Sequence, residues 1–254
     1  MMRTIALLLS YDGRNYHGWQ SQANGKSVQD TLNAALSSLF NEEIKVVGCG
    51  RTDAGVHAKN YFASLRTTSQ IPTEKIPLGA NAYLPNDISV RRAFEVSEDF
   101  HPVHSCEKKE YTYYIYSSPV RNPFLDGRAL HTRLPLDTEL MRHAASQFVG
   151  THDFSAVRSL GTPVKSTVRT IHECEVEEKD NLIAIRISAN GFLYNMARTI
   201  VGTLLDVSAK KIGADEISDI LLSCDRQRAG ATAPAHGLYM TNIIYPEQFG
   251  LIID

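Results

Sequence analysis

Eleven residues, Gly48-Cys49-Gly50-Arg51-Thr52-Asp53-Ala54-Gly55-Val56-His57-Ala58, stand between two β-type runs, Ile44–Val47 and Tyr61–Leu65. Three of the first eight are glycines, so the backbone turns sharply and passes close to whatever faces it. A tight connection between strands holds the lone carboxylate of Asp53 still and leaves one side open. On residue types alone two readings stay open. One is a loop closed by its own Arg51–Asp53 pair, with Thr52 finishing a turn; the other is a reactive site.

The rest of the chain sets the frame. With 254 residues and 43% hydrophobic content it buries a sizeable core, as one large domain or two small ones. No apolar run approaches the ~20 residues of a membrane span. The N-terminal run Thr4–Leu9 passes into polar Asp12-Gly13-Arg14-Asn15 and reads as a first buried strand, not as a signal peptide. Cys49, Cys106, Cys174 and Cys224 lie far apart with no C-x-x-C pair. That spacing argues against a zinc site or a disulfide framework and fits a reducing cytoplasm. The net charge of −2 weighs against phosphate binding unless the cations gather on one surface. Acids do crowd 173–180 and 215–219.

In chain order, Ser27 caps a helix with Asp30 three residues on, and Val28, Leu32, Leu36 and Phe40 repeat every four residues as its apolar stripe. A second helix is expected over 72–83 and a strand over Ile88–Val96. The first hundred residues thus read strand, helix, strand, strand, helix, strand, the order of a split βαβ or ferredoxin-like unit. A related pattern follows: a strand over Lys109–Ser117, a helix over Asp137–Val149, a strand pair over Thr167–Val176 and Leu182–Ser188, helices over Asn190–Val207 and Asp215–Ser223, and a closing strand over Leu238–Tyr245. The division is expected as residues 1–105 and 106–254, with the boundary near His101–Cys106.

Several other side chains have the chemistry of a site. Lys109, Tyr111 and Tyr113 share one face of a strand. Packing accounts for Tyr113, Tyr114 and Tyr116, as burial does for Trp19, the only tryptophan. In Gly191-Phe192-Leu193-Tyr194-Asn195-Met196-Ala197-Arg198-Thr199-Ile200-Val201-Gly202, Phe192, Met196, Ile200 and Leu204 form one apolar face. At ~100° per residue Arg198 points to the other side, beside Val201 and Leu205. A helix apolar nearly all round is buried, and its arginine then needs an anionic partner. Arg158 and Arg169 suit either phosphate contact or a solvated surface. His57, four residues after Asp53, reads as a polar group that stabilises the loop.

GCGRTDAGVHA resembles the signature loop of the tRNA pseudouridine synthase A family. So do Tyr11-Asp12-Gly13-x-x-Tyr16-x-Gly18-Trp19-Gln20-x-Gln22, Lys109-Glu110-Tyr111, Phe192-Leu193-Tyr194-x-x-x-Arg198, His152-Asp153-Phe154-Ser155, Ser166–Ile171 and Ala233–Tyr239. The resemblance covers almost the whole chain, from Tyr11 to Tyr245, with the three motif segments in the family's order. One departure stands out: the family commonly carries glutamine where this chain has Tyr61. The resemblance implies an α+β pseudouridine synthase fold of two ferredoxin-like, RRM-like halves, their antiparallel sheets joined across a central cleft. It implies isomerisation of uridine at positions 38, 39 and 40 of the tRNA anticodon stem-loop, by a cytoplasmic homodimer, with no cofactor and no metal. Asp53 is then the catalytic carboxylate, Tyr111 the ring that stacks on the base and exchanges a proton, and Arg198 the partner that keeps Asp53 ionised. Arg51, Lys109, Tyr111, Arg158 and Arg169 are the implied substrate contacts. Whether Asp53 attacks the base, attacks the ribose or removes a ribose proton stays open. The rival readings are an RNA-binding module on the same fold and an N-glycoside hydrolase, which needs a second carboxylate.

Overall fold

The computed structural model describes residues 2–159, 161 and 164–253. It resolves into two compact units, Met1–Glu107 with Tyr239–Asp254, and Lys108–Leu238.

The first unit is built on the run Ile5–Leu9, every residue of which is fully buried. Such a continuous apolar stretch suits a strand flanked on both edges. Accordingly β1 (Arg3–Tyr11) pairs antiparallel with β3 (His57–Thr67) and with β4 (Ile88–Val96). Between β1 and β3 run α1 (Val28–Phe40) and the two-residue β2 (Val47–Gly48); α2 (Ile76–Asn81) precedes β4. The element order is the one expected. Ser27 accepts a hydrogen bond from the Asp30 amide and donates from its hydroxyl to the Asp30 carboxylate at 2.6 Å, closing the first turn of α1. Val28, Leu32, Leu36 and Phe40 are all buried.

Two expectations shift in this unit. Ile44–Val47 does not form a full strand, because α1 takes its polar groups. The amides of Ile44 and Val46 donate to Ser37 Oγ and Asn33 Oδ1, each at 2.9 Å, and Gln29 donates to the Val46 carbonyl. Only Val47 and Gly48 remain to pair, with Ser64 and Ala63 of β3. The helix expected over 72–83 is a 3-10 turn, Thr73–Lys75, followed by the short α2. It ends where the Asn81 side chain bonds both the amide and the carbonyl of Val90.

The second unit repeats the sequence of strand, helix, strand pair, helix. Its strands are β5 (Lys108–Ser117), β6 (Leu130–Thr132), β7 (Gly150–Asp153), β8 (Val168–Lys179) and β9 (Leu182–Ala189). Its helices are α3 (Thr138–Ser146), capped by Asp137, α4 (Met196–Ser208) and α5 (Ile217–Ser223). The antiparallel order is β5-β9-β8-β7, with β6 parallel to the outer part of β5. One face buries Tyr113, Ile115, Cys174, Val176, Ile183, Ile185 and Ile187, with α3 packed on β8 and α4. Burial pushes the Cys174 thiol up to about 12, so it behaves as a small apolar group. Glu173, Glu175 and Glu177 alternate with these residues onto the opposite face, where Arg186 pairs with Glu175 and Glu177, while Glu178 accepts from Thr138 of α3.

The chain then returns to the first unit. The last strand, β10 (Leu238–Ile244), runs parallel to β3 with Tyr239 opposite His57 and Met240 opposite Ala58. It had been expected to close the second half. Its core contacts explain its place: Tyr245 packs edge-on against Phe62 and Phe100, and its hydroxyl donates to the Pro102 carbonyl at 2.7 Å. No helix among the described residues is long and apolar enough to cross a membrane.

Candidate active site

The loop joining β2 to β3 carries Arg51, Thr52 and Asp53. Arg51 is exposed, Thr52 buried and Asp53 half-buried. The N-terminal segment 11–19 wraps this loop and holds it mainly by its backbone. The Trp19 amide donates to the Thr52 carbonyl at 3.1 Å, and the Gly55 amide donates to the Tyr16 carbonyl at 3.3 Å. The Val56 amide closes a turn onto the Asp53 carbonyl at 3.1 Å. One side chain joins in: the Tyr11 hydroxyl lies 2.9 Å from Thr52 Oγ1. Tyr11 is fully buried, and burial raises its phenol well above the ordinary range, so it stays a neutral hydrogen-bonding group.

Below the loop lies a bed of three aromatic rings. Trp19 packs at a tilt on Tyr61 with centroids 4.2 Å apart, and Tyr11 meets Tyr61 edge-on at 5.6 Å. The Tyr61 hydroxyl donates to the Gly50 carbonyl. The residue at which this chain departs from the family pattern therefore fastens the near side of the loop. Gly48 and Gly18 make the close approach possible. A Cβ at 48 would lie 2.2 Å from the Tyr61 hydroxyl and 2.4 Å from the Trp19 ring. A Cβ at 18, where φ is +89°, would lie 2.4 Å from the Thr52 carbonyl oxygen. Trp19 is 2% exposed, a core anchor as expected.

His57 is buried, and its ring stacks on Tyr239 at 4.4 Å. The Gly13 amide lies 3.2 Å from its Nδ1, and Asp12 Oδ1 lies 3.2 Å from the same atom. His57 fastens the end of the loop, as expected. For Asp12, burial pushes the carboxyl upward, but hydrogen bonds from the Arg14 side chain and amide, with the charges of His57 and Arg14, outweigh it and leave a net lowering.

The second unit carries the other candidates. Tyr111 on β5 is 7% exposed and meets Phe192 edge-on at 4.8 Å. Lys109, two residues earlier, is half-buried opposite Ala189 of β9. The neighbouring Tyr113 is buried, and its hydroxyl donates to the Pro234 carbonyl at 2.8 Å. Burial raises its phenol, with the charge of Arg198 pulling the other way. The packing role expected for Tyr113 fits this geometry.

Arg198 lies in the first turn of α4. The helix expected from Asn190 begins only at Met196, because Asn195 takes a left-handed conformation at φ +59°. Phe192 consequently leaves the helical stripe and packs on Tyr111, while Met196, Ile200 and Leu204 remain fully buried. Arg198 Nε donates to the Ala233 carbonyl at 2.7 Å, and the Ala233 amide donates back to the Arg198 carbonyl at 3.1 Å. A second guanidinium nitrogen, NH1, donates to Asn195 Oδ1 at 2.8 Å. Segment 230–233 can lie this close because position 202 is glycine: a Cβ there would fall 1.6 Å from the Ala231 carbonyl oxygen.

The loop after β7 carries Arg158 and leads to Arg169 on β8, and Asp153 closes its base. Its carboxylate accepts from the Ser155 amide at 2.8 Å and from Thr167 Oγ1 at 2.9 Å, and the Phe154 amide donates to the Thr167 carbonyl. Burial alone would raise the Asp153 carboxyl; the Ser155 and Thr167 bonds and the charge of Arg158 lower it overall. Arg169 is half-buried, donates to the Ser166 and Val168 carbonyls, and is lowered by that burial. Sequence reasoning missed the roles of Tyr11, Asn195 and Asp153. Asn195 carried the one usable signal, an asparagine directly before an apolar periodic run.

An α+β protein with paired strand–helix units and a carboxylate on a clamped glycine turn is the class these features define. The family model described as tRNA pseudouridine synthase matches residues 8–104 and 144–246. The tRNA pseudouridine synthase A of Ruminiclostridium cellulolyticum is 47% identical over 245 residues, covering 96% of this chain and 100% of that one. That of Acetivibrio thermocellus is 46% identical over 244 residues, with the same coverage of each chain. That of Pseudoalteromonas atlantica is 42% identical over 247 residues, 97% of this chain and 94% of that one. Among solved structures, an archaeal box H/ACA Nop10–Cbf5 complex is similar at a TM-score of 0.37 and 12% identity, over 79% of this chain and 44% of that one, too slight a likeness to bear on the argument. The chain belongs to the tRNA pseudouridine synthase family.

Proposed function

We propose that this chain isomerises uridine to pseudouridine in tRNA, in the anticodon stem-loop at positions 38, 39 and 40, with Asp53 as the essential carboxylate. Family membership supports the reaction. The observation that carries the role of Asp53 is the loop itself, whose backbone is fastened on both sides of that residue by Tyr61, Trp19 and Tyr16.

The reaction breaks the bond between uracil N1 and ribose C1′, turns the base, and joins C5 to C1′. The proton on C5 is then lost and one returns to N1. A carboxylate that attacks the base, attacks the ribose, or removes a ribose proton suits this sequence, and preorganisation of its loop lowers the cost of alignment. The target base first leaves its helical stack, at a cost of a few kcal/mol. Tyr111 offers a π-face for the extruded base and a phenol for the proton at C5. Arg198 is the cation assigned to the mechanism, and Arg51, Lys109, Arg158 and Arg169 contact the RNA. The catalytic turn thus belongs to the first half of the protein, and the tyrosine strand and arginine helix to the second. The enzyme acts in the cytoplasm as a homodimer gripping one tRNA.

Asp12 bears on the hydrolase reading. It is a carboxylate in the segment that wraps the Asp53 loop, but the Arg14 bonds keep its carboxyl low, which unfits it as a general acid. Release of tritium from C5-labelled tRNA, compared between the native chain and Asp53→Asn, tests the proposal. Release by the native protein alone is expected. Free uracil in the supernatant would instead mark a hydrolase, and binding without release an RNA-binding module.

A further inference from the structure

Asn195 occupies the N-cap of α4, where asparagine ordinarily turns its side chain back to accept from an amide of the first turn. Here it makes no such bond. Its amide group is engaged elsewhere. Oδ1 accepts from Arg198 NH1 at 2.8 Å, and Nδ2 donates to Ser159 Oγ at 2.9 Å. A guanidinium only donates, so the amide oxygen must face Arg198 and the NH2 must face away, toward Ser159. Ser159 is itself fixed, its amide donating to the Tyr194 carbonyl at 3.0 Å. The left-handed backbone at 195 aims the side chain this way, and asparagine tolerates that conformation better than most residues.

We infer that Asn195 is a positioning residue for the isomerisation: it sets the plane of the Arg198 guanidinium and ties it to the loop that carries Arg158. Together with Ala233, which holds Nε, it fixes two nitrogens of the arginine on separate acceptors. A cap bond has been given up for a grip on a functional side chain. The helix keeps its start because its first turn is anchored otherwise, with the Met196 amide donating to the Leu193 carbonyl and the Thr199 amide to the Asn195 carbonyl.

The inference rests on the assignment of Arg198 to the mechanism, so the test carries both. Turnover of tRNA is measured for Asn195→Gly, Asn195→Asp and Arg198→Gln, with a thermal unfolding midpoint for each. Glycine accepts the left-handed backbone and removes both side-chain bonds. It is expected to lower kcat about 10- to 100-fold, the range of a misaligned group, with KM within about two-fold and the midpoint near native. Aspartate keeps an acceptor for NH1 and is expected to restore most of kcat. Native kcat in the glycine variant, with Arg198→Gln inactive, would overturn the role of Asn195 alone. So would equal losses in the glycine and aspartate variants that track a lowered midpoint. Native turnover in Arg198→Gln would overturn both assignments together.

Discussion

The two units hold their candidate site residues in opposite ways. In the first, the Asp53 loop is gripped through its backbone: the carbonyls of Gly50 and Thr52 and the amides of Gly55 and Val56 carry the bonds. In the second, Arg198 is gripped through its side chain, Nε by Ala233 and NH1 by Asn195. The difference follows from side-chain length. A carboxylate one carbon from the backbone goes where the main chain goes, so fixing the loop aims it. A guanidinium at the end of a flexible stem loses its aim unless its own nitrogens are held, and that ordering costs up to about 2 kcal/mol of rotamer entropy.

This contrast can be tested at several strengths. Asp53→Asn leaves the backbone bonds intact and is expected to lower tritium release by about 10³-fold or more, with an unchanged unfolding midpoint. A fall in stability of similar weight would mean that the side chain, not the backbone, holds the loop. Gly48→Ala attacks the backbone grip by driving a methyl into Tyr61 and Trp19. About 1–3 kcal/mol of stability should be lost in a urea titration, with turnover falling alongside. Tyr61→Phe keeps the packed ring and deletes the bond to Gly50. About 1 kcal/mol and a few-fold in kcat are expected; an unaltered kcat would show that Trp19 and Tyr16 suffice.

The smallest effect concerns pH. The Asp153 carboxyl is lowered in the folded protein, so it contributes stability above its unfolded value, and that contribution disappears as pH falls through the lower folded value. Asp153→Asn should therefore destabilise at neutral pH by under about 1 kcal/mol, as suits a partly exposed group. The difference should vanish in acid. A gap between the two unfolding curves that persists below the carboxylate range would assign the effect to something other than charge.

Much of this architecture could be read from local pattern. The cap at Ser27 and the stripe Val28, Leu32, Leu36, Phe40 define α1 within a few residues, and β4 runs over Ile88–Val96 as the alternation indicates. Ile44–Val47 reads as a strand because its residues suit one; only the folded chain shows α1 side chains already holding its amides. The start of α4 was misplaced for a related reason. The apolar repeat from Phe192 to Leu204 spans Asn195, and an asparagine that can cap a helix does not by its identity show that it turns left-handed to reach Arg198 and Ser159. Tyr61 looked like a defect in a motif, yet the fold uses its hydroxyl to fasten Gly50.

The amino-acid order by itself indicated most of the elements, their succession and the candidate side chains of the site, since these depend on neighbours three or four residues away and on chemistry each residue carries alone. Tertiary structure decided which distant groups meet: that β10 returns to β3, that Tyr11 reaches Thr52, and that Ala233 grips Arg198. Such pairings are settled by the packing of whole sheets and helices, where the free energy of one hydrogen bond is small beside that of the apolar surface buried around it.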